Sequence, residues 1–388
     1  MTERRRRERP TRRRPRRSVD MVKDIEESIK SPTKHAISTD VLIPSGSTML
    51  NLACSDNPNA AYGIGKIVTM PGSSSSGKTI LMLTSMAEMV NNSRFDDYSF
   101  YYDDGEEALA FDMEYLFGEK LPQRLKPPGG YDDDNRPVYS NTIQEFKANI
   151  LTRCKNEEKF IYTLDSLDAL TTDEELEKEY KKALLLAKGD KKAIEALTGS
   201  FKTEKAKITG EALRMINGAL KKTDSALFII QQIRQKIGVV GFGKKTTTSG
   251  GNAPFFYSTH QVWLNKTKTL KNDKFKLKIG NCVNAEITKN KLTGKLRDID
   301  FDVFYDYGID DISSMVDYLT KTKIWKKSGG YIYPSQFLGS APPKKFYKKD
   351  LVKLIEQEGA EKEVKDLCGE IWNSIEDAVK LSDRKRKY

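Results

Sequence analysis

The chain has 388 residues, of which 38% are hydrophobic and 31% charged, and a formal net charge of +11. Its longest apolar runs, such as 226–230, fall far short of the ~20 residues a membrane-spanning helix needs, so a soluble protein of about two or three domains is expected. Cys54, Cys154, Cys282 and Cys368 lie far apart with no CxxC pair, and only His35 and His260 accompany them, which argues against a zinc site or a disulfide framework and for the cell interior.

In chain order, residues 1–17 come first, with ten Arg and two Glu that carry +8 of the +11. No apolar stretch follows Arg17, so this is neither a signal peptide nor an amphipathic transit peptide. It reads either as a disordered nucleic-acid-binding arm or, if Met21 is the natural start, as extra translated sequence. Val22 to Lys30 predicts a short helix stopped by Ser31-Pro32, and Val41 to Pro44 begins an extended segment. Ile64 to Met70 is an apolar strand running into PGSSSSGKT, and Ile80 to Met89 is helical. Further strands are expected at Tyr98 to Asp103, Phe160 to Asp165, Leu227 to Ile233 and Gln261 to Leu264. Short apolar strands alternating with helical segments indicate a parallel α/β sheet.

Two segments break the rhythm. Pro127 to Pro137 is a loop by composition. Residues 172–207 hold nine Lys and eight acids, and Leu176, Tyr180, Leu184 and Ala187 recur at helical spacing, so a helical insertion is expected. Beyond Asp306 the pattern changes to helices and a small strand pair within Trp325 to Tyr333, suggesting a separate C-terminal domain.

Gly72-Ser73-Ser74-Ser75-Ser76-Gly77-Lys78-Thr79 satisfies GxxxxGK[ST], placed between a strand and a helix. Small residues there let successive backbone N–H groups curl around phosphate oxygens at the positive end of the helix. Lys78 would neutralise the β/γ-phosphates of ATP, and Thr79 would ligate Mg²⁺. Asp165, at the end of FIYTLD, occupies the strand-terminal position that holds Mg²⁺, through water, in such sheets. A carboxylate is also needed to orient the attacking water. The cluster Asp103-Asp104-Gly105-Glu106-Glu107 offers four, and chemistry alone does not choose among them.

Ile230 to Gly238 (IQQIRQKIG), followed by TTTSGGNA at 246–253 and Phe256-Tyr257, resembles the RecA recombinase family. The likeness runs from about Ile64 to Asp317, and the first half and C-terminal segment are also similar to its phage UvsX branch. It implies a RecA-like P-loop ATPase core with a mostly parallel twisted sheet at 51–310. That core would follow an arm at 1–20 and an oligomerisation segment at 21–50, and precede a small α/β domain at 311–388. It also implies Glu106 as the catalytic base and Gln232 as the sensor of the γ-phosphate. Lys289 and Lys291 would reach the ATP of the neighbouring subunit, with Tyr305 and Tyr115 near adenine. The resemblance assigns DNA contact to Arg234 and Lys236, which open the second DNA loop, and to Gly250, Gly251 and Asn252, which close it. Arg214, Asn217 and Lys221, spaced to share a helix face, join them.

The activity implied is a DNA-dependent ATPase that forms helical homo-oligomeric filaments on single-stranded DNA and pairs it with homologous duplex DNA. It would work in the cytoplasm of a bacterial or phage-infected host cell, with loading or single-strand-binding proteins as further partners and no membrane. The alternatives are a hexameric DNA helicase on the same ATPase fold and an ATP-gated DNA-coating filament protein with little turnover. The chain departs from the family at 172–207, which is longer and more charged, and at Phe255, where a lysine is frequent. It also ends in the basic run 384–387 rather than an acidic tail.

Overall fold

The computed structural model describes residues 42–188, 202–235, 246–334 and 345–380. The arm 1–20, the helix expected at 22–30, residues 189–201 of the insertion, Lys236 and the basic run 384–387 lie outside the described residues.

The strand pair β1 (Leu42–Ile43) and β2 (Tyr62–Gly63) flanks α1 (Thr48–Ser55). Next come β3 (Ile67–Gly72), α2 (Lys78–Val90) and β4 (Ser99–Asp104), then the short helices α3 (Met113–Phe117) and α4 (Lys120–Arg124) and the edge strand β5 (Leu125–Lys126). They are followed by α5 (Ile143–Lys155), β6 (Phe160–Asp165), α6 (Asp173–Ala187), α7 (Lys202–Leu220) and β7 (Ala226–Gln235). β8 (Thr246–Thr248), α8 (Ala253–Tyr257) and the long strands β9 (His260–Lys271) and β10 (Lys278–Asn290) lead to β11 (Asp298–Phe304) and β12 (Gly308–Asp310). The chain continues through α9 (Asp311–Lys321), the hairpin β13 (Lys326–Ser328) and β14 (Tyr331–Tyr333), then α10 (Lys348–Gln357) and α11 (Glu361–Ala378).

The central sheet has the order β12-β11-β10-β9-β3-β7-β6-β4-β5, with β8 paired off β7. From β9 to β5 every neighbouring pair is parallel, and β9 to β12 are joined antiparallel. Alternation along the parallel strands divides the core. Val68, Met70, Phe100, Tyr102, Phe228 and Ile230 pack toward α2, while Ile67, Tyr101, Leu227 and Ile229 pack toward α5 and α7. Both faces are thereby covered, which is why these strands read as unbroken apolar runs.

The five expected strands are present, with shifted ends. β3 begins at Ile67 rather than Ile64 because Gly65 turns at φ 73° and donates its N–H to Ser225 O. The antiparallel extension goes beyond the parallel sheet that the pattern predicts. Its β11 strand, with Asp298, Asp300 and Asp302 between Ile299, Phe301 and Val303, buries its apolar residues but carries aspartates that strands usually avoid. The expected helical insertion is α6, capped by Thr172. Its Tyr180, Leu184 and Leu186 stay exposed, so the apolar stripe there faces no described element.

The C-terminal helices pack on the antiparallel side, and the apolar cluster of β3 and α2 runs on without a break through Trp325, Ile355 and Trp372. Polar contacts reinforce that junction. Asp311 accepts from the backbone N and hydroxyl of Thr48 at 2.7 and 2.6 Å. Glu376 takes both ends of Arg297 at 2.7 and 2.8 Å, with Lys295 at 3.0 Å.

Candidate active site

β3 ends where its neighbours leave a crevice, and the loop from Gly72 to Gly77 turns there into α2. No side chain caps α2; its N-cap is Gly77 at φ 82°, so the first amides stay open to a ligand. Gly72 is required by close approach: a Cβ would stand 2.6 Å from Ser76 Oγ and 2.7 Å from Leu264 O. Lys78 folds back to donate to Gly72 O and Ser73 O at 3.1 and 2.8 Å. Burial lowers its pKa, and the carboxylates of Asp165, Glu106 and Asp168 oppose that shift.

Above this loop lies a cleft of about 590 Å³, lined by Ser74, Ser75, Ser76, Gly77, Lys78 and Thr79 on one side. Phe111, Asn281, Val303 and Tyr305 line the other. Asn281 steadies the loop by donating to Ser75 O at 3.3 Å. Tyr305 shares this cleft with the loop. Tyr115, on α3, is 70% exposed and is not part of the lining, where Phe111 stands instead. Sequence reasoning misses Phe111 because an apolar residue in a loop gives no chemical signal.

The strand ends gather the acids. Asp165 Oδ2 accepts from Thr79 Oγ1 at 2.7 Å and from the Tyr102 hydroxyl at 2.6 Å. Burial raises its pKa; those two bonds counter the rise, and Glu106 and Asp104 add to it. The geometry also separates the four acids that composition leaves equivalent. Asp103 is buried, accepting from Ser140 N at 2.8 Å and the Tyr162 hydroxyl at 2.5 Å. Asp104 Oδ2 accepts from Leu109 N at 2.8 Å, closing the turn, and Glu107 is exposed at φ 50°. Glu106 reaches across to the ends of β6 and β7, its Oε1 accepting from Ser166 Oγ at 2.7 Å and from Gln232 Nε2 at 2.6 Å.

The family description RecA N-terminal domain matches residues 160–310. The chain is 31% identical to Protein RecA of Helicobacter hepaticus over 322 residues, spanning 82% of this chain and 79% of that one. Protein RecA of Nitratiruptor sp. is 32% identical over 268 residues, 69% and 68% of the two chains. Protein RecA of Sulfurovum sp. is 30% identical over 308 residues, 79% and 78%. The chain belongs to the RecA family. It is accordingly a DNA-dependent ATPase of recombination and repair, which sets aside the helicase ring and the low-turnover coating protein. RecA proteins bind ATP with Mg²⁺ and form filaments on DNA. Among the described residues no helix is long and apolar enough to cross a membrane.

The residues present fit that ligand pair. Ser76 Oγ is buried in the phosphate loop without a partner, the condition expected of a group awaiting an anion's oxygens. Mg²⁺ takes oxygen donors and is usually held by one or two side chains together with phosphate. Thr79 and Asp165, already in contact, would supply them.

The RecA-type DNA residues distribute unevenly. Gln231, beside Gln232 and pointing the other way, donates to Ser249 O at 2.8 Å and so ties the end of the second loop to β7. Gly250, at φ 78°, presses on α7 and on the segment after β6: a Cβ there would stand 3.1 Å from Thr209 and 2.9 Å from Leu167. Gly251 faces Ala206, and Asn252 opens α8. Arg234 occupies β7 opposite Thr247. On α7, Arg214 and Asn217 are exposed opposite the buried Leu213, Ile216 and Leu220. Lys221 is exposed too, but past the helix end, with its Cα 3.4 Å from where a Gly65 Cβ would be, beside the start of the central strand β3. Lys207 is exposed next to Ala206 and nearer the loop; in the sequence nothing separates it from the other lysines of the charged insertion.

Lys289 and Lys291 end β10 and the turn after it. Lys289 Nζ donates to Phe255 O, and to Phe256 O at 3.0 Å, with the Phe255 ring centroid 4.7 Å away. Burial, then the charge of Lys291, lowers its pKa to about 8.

Proposed function

We propose that this chain polymerises as a helical filament on single-stranded DNA and pairs it with homologous duplex, using ATP bound at subunit boundaries to hold the DNA-gripping state. The observation that carries the reading is the bond from Gln232 to Glu106. β7 runs on from that glutamine through Arg234 toward the second DNA loop, so one strand connects the hydrolytic carboxylate with the DNA-facing segment.

In this reading the loop 72–77 and Lys78 hold the phosphates and offset their charge. Mg²⁺, held by Thr79 and Asp165, would supply further charge neutralisation. Glu106 accepts a proton from the attacking water, oriented by Ser166 and Gln232. Lys289 and Lys291 reach the nucleotide of the adjacent subunit and stabilise developing charge. Tyr305 contacts the base, with Phe111 a better-placed companion than Tyr115. Arg214, Asn217, Arg234, Lys236 and Gly250 to Asn252 hold the DNA backbone, with Lys207 added and Lys221 at the periphery.

Residues 51–310 serve as the ATPase core, 21–50 as the oligomerisation segment and 311–388 as a small C-terminal domain. The site of action is the bacterial cytoplasm, with a loading or single-strand-binding protein as further partner. Phosphate release with and without single-stranded DNA, together with electron microscopy in a non-hydrolysable ATP analogue, tests the proposal. DNA-stimulated turnover and helical filaments support it; closed rings, or turnover indifferent to DNA, overturn it.

A further inference from the structure

Lys289 is held in an unusual way for a cation. Its electrostatic surroundings are burial and a second lysine, and among the described residues no carboxylate opposes them. What offsets the charge is α8. The last carbonyls of a helix lack intrahelical partners and carry its negative end, and Lys289 Nζ donates to two of them, Phe255 O and Phe256 O. Ser258 Oγ also donates to Phe255 O, at 3.0 Å, fixing that carbonyl. The Phe255 ring lies 4.7 Å from the ammonium, within the ~6 Å over which a ring face attracts a cation.

The strand side is shaped to match. Between Ile287 and Lys289 the register against β9 slips by one residue, a bulge that re-aims a side chain. At its other end α8 is N-capped by Asn252, directly after Gly250 and Gly251. A helix of five residues thus separates the turn that closes the second DNA loop from the ammonium of Lys289.

We propose that Phe255 is a positioning residue for Lys289, holding its ammonium on the C-terminal turn of α8 so that displacement of the Gly250–Asn252 turn by DNA also moves Lys289. This rests on the reading that Lys289 reaches the neighbouring subunit's ATP. It gives the aromatic at this position a charge-handling role that leucine, of similar size and hydrophobicity, could not fill. Phe255 is 46% exposed, so replacing it leaves the core intact.

The test is steady-state ATP turnover of the full chain with and without single-stranded DNA, for Phe255→Leu, Phe255→Tyr, Lys289→Met and the Phe255→Leu/Lys289→Met double variant. Phe255→Leu should lower DNA-stimulated kcat by about three- to tenfold, the scale of a partly desolvated cation–π contact, with KM for ATP changed by less than about twofold. Phe255→Tyr should restore most of it, and the double variant should match Lys289→Met alone. Equal turnover of Phe255→Leu and wild type while Lys289→Met is impaired would sink the positioning role and leave the reading of Lys289 standing. Full turnover by Lys289→Met would remove that reading, and the proposal with it. A double variant weaker than Lys289→Met would show that Phe255 acts through some other contact and overturn the proposal.

Discussion

The side-chain amide of Gln232 donates to Glu106 Oε1 at 2.6 Å, while its main-chain amide donates to Asp168 Oδ2 at 2.7 Å. The glutamine is therefore anchored at its backbone and free to report at its tip. Under the proposed function, a change at Glu106 would pass to β7, and a pull on β7 from the DNA side would pass to Glu106.

Gln232→Ala should reduce DNA-stimulated ATP turnover by at least about tenfold, because a hydrogen bond to a charged group contributes ~1.5–3 kcal/mol. Glu106→Gln should keep ATP and DNA binding while losing about two orders of magnitude or more in hydrolysis, the usual contribution of a general base. Phosphate-release assays measure both. Wild-type turnover in Glu106→Gln would take that residue out of the chemistry.

Asp165→Asn bears on the ion. It keeps the Thr79 contact in shape but removes the charge, so half-maximal ATP binding should require roughly tenfold more Mg²⁺. ATP binding measured without divalent ion should not weaken, because the substitution removes a negative charge from beside Lys78. An unshifted Mg²⁺ titration would assign the ion to other groups.

Much of this site is readable from the chain. The loop 72–79 needs small residues and one lysine in fixed order, and Asp165 ends a strand, so both announce themselves locally. The choice of Glu106 over Asp103 is not local. Asp103 is committed to Ser140 N, 37 residues away in sequence, and no spacing rule reports such a partner. The antiparallel strands β10 to β12 escape sequence reasoning for a related reason: their pairing is with β9 and with one another, while their solvent-facing aspartates and lysines obscure the apolar alternation. Phe111 and Gln231 gain their positions only from tertiary contact.

Along α7, geometry ranks the basic residues. Gly251 meets α7 at Ala206, and from there to Leu220 the helix rises about 20 Å, so Lys221 lies at the other end of α7 from the Gly250–Asn252 turn. Arg214→Ala and Lys207→Ala should each weaken single-stranded DNA binding and flatten the slope of log affinity against log salt by about 0.7 for each phosphate left without its cation. Lys221→Ala should change the slope by much less. Equal slopes for all three variants would mean the DNA runs the length of α7.

Acid stability isolates a different residue. His260 is fully buried, its ring 5.7 Å from that of Tyr62, and burial pushes its pKa down from 6.5 to about 4, with Cys54 and Asn290 opposing in part. Between those two values the unfolded chain takes up a proton that the native chain resists. Stability is therefore greatest above about pH 6.5 and falls as pH drops toward 4, by a total on the order of 3 kcal/mol from this one group. Asp165 and Asp103 act in the opposite sense, because their pKa values are raised by burial and protonation then favours the native state. Glu376, lowered by Arg297 and Lys295 despite its burial, contributes stability that is lost only as pH falls below the ordinary carboxylate range. A single pH profile mixes these groups, so the measurement is a difference. Urea unfolding of wild type and His260→Gln at pH 7 and pH 5 should give a wild-type loss that exceeds the variant's by about 2 kcal/mol. If both lose the same amount, the imidazole is not the group that titrates in that window.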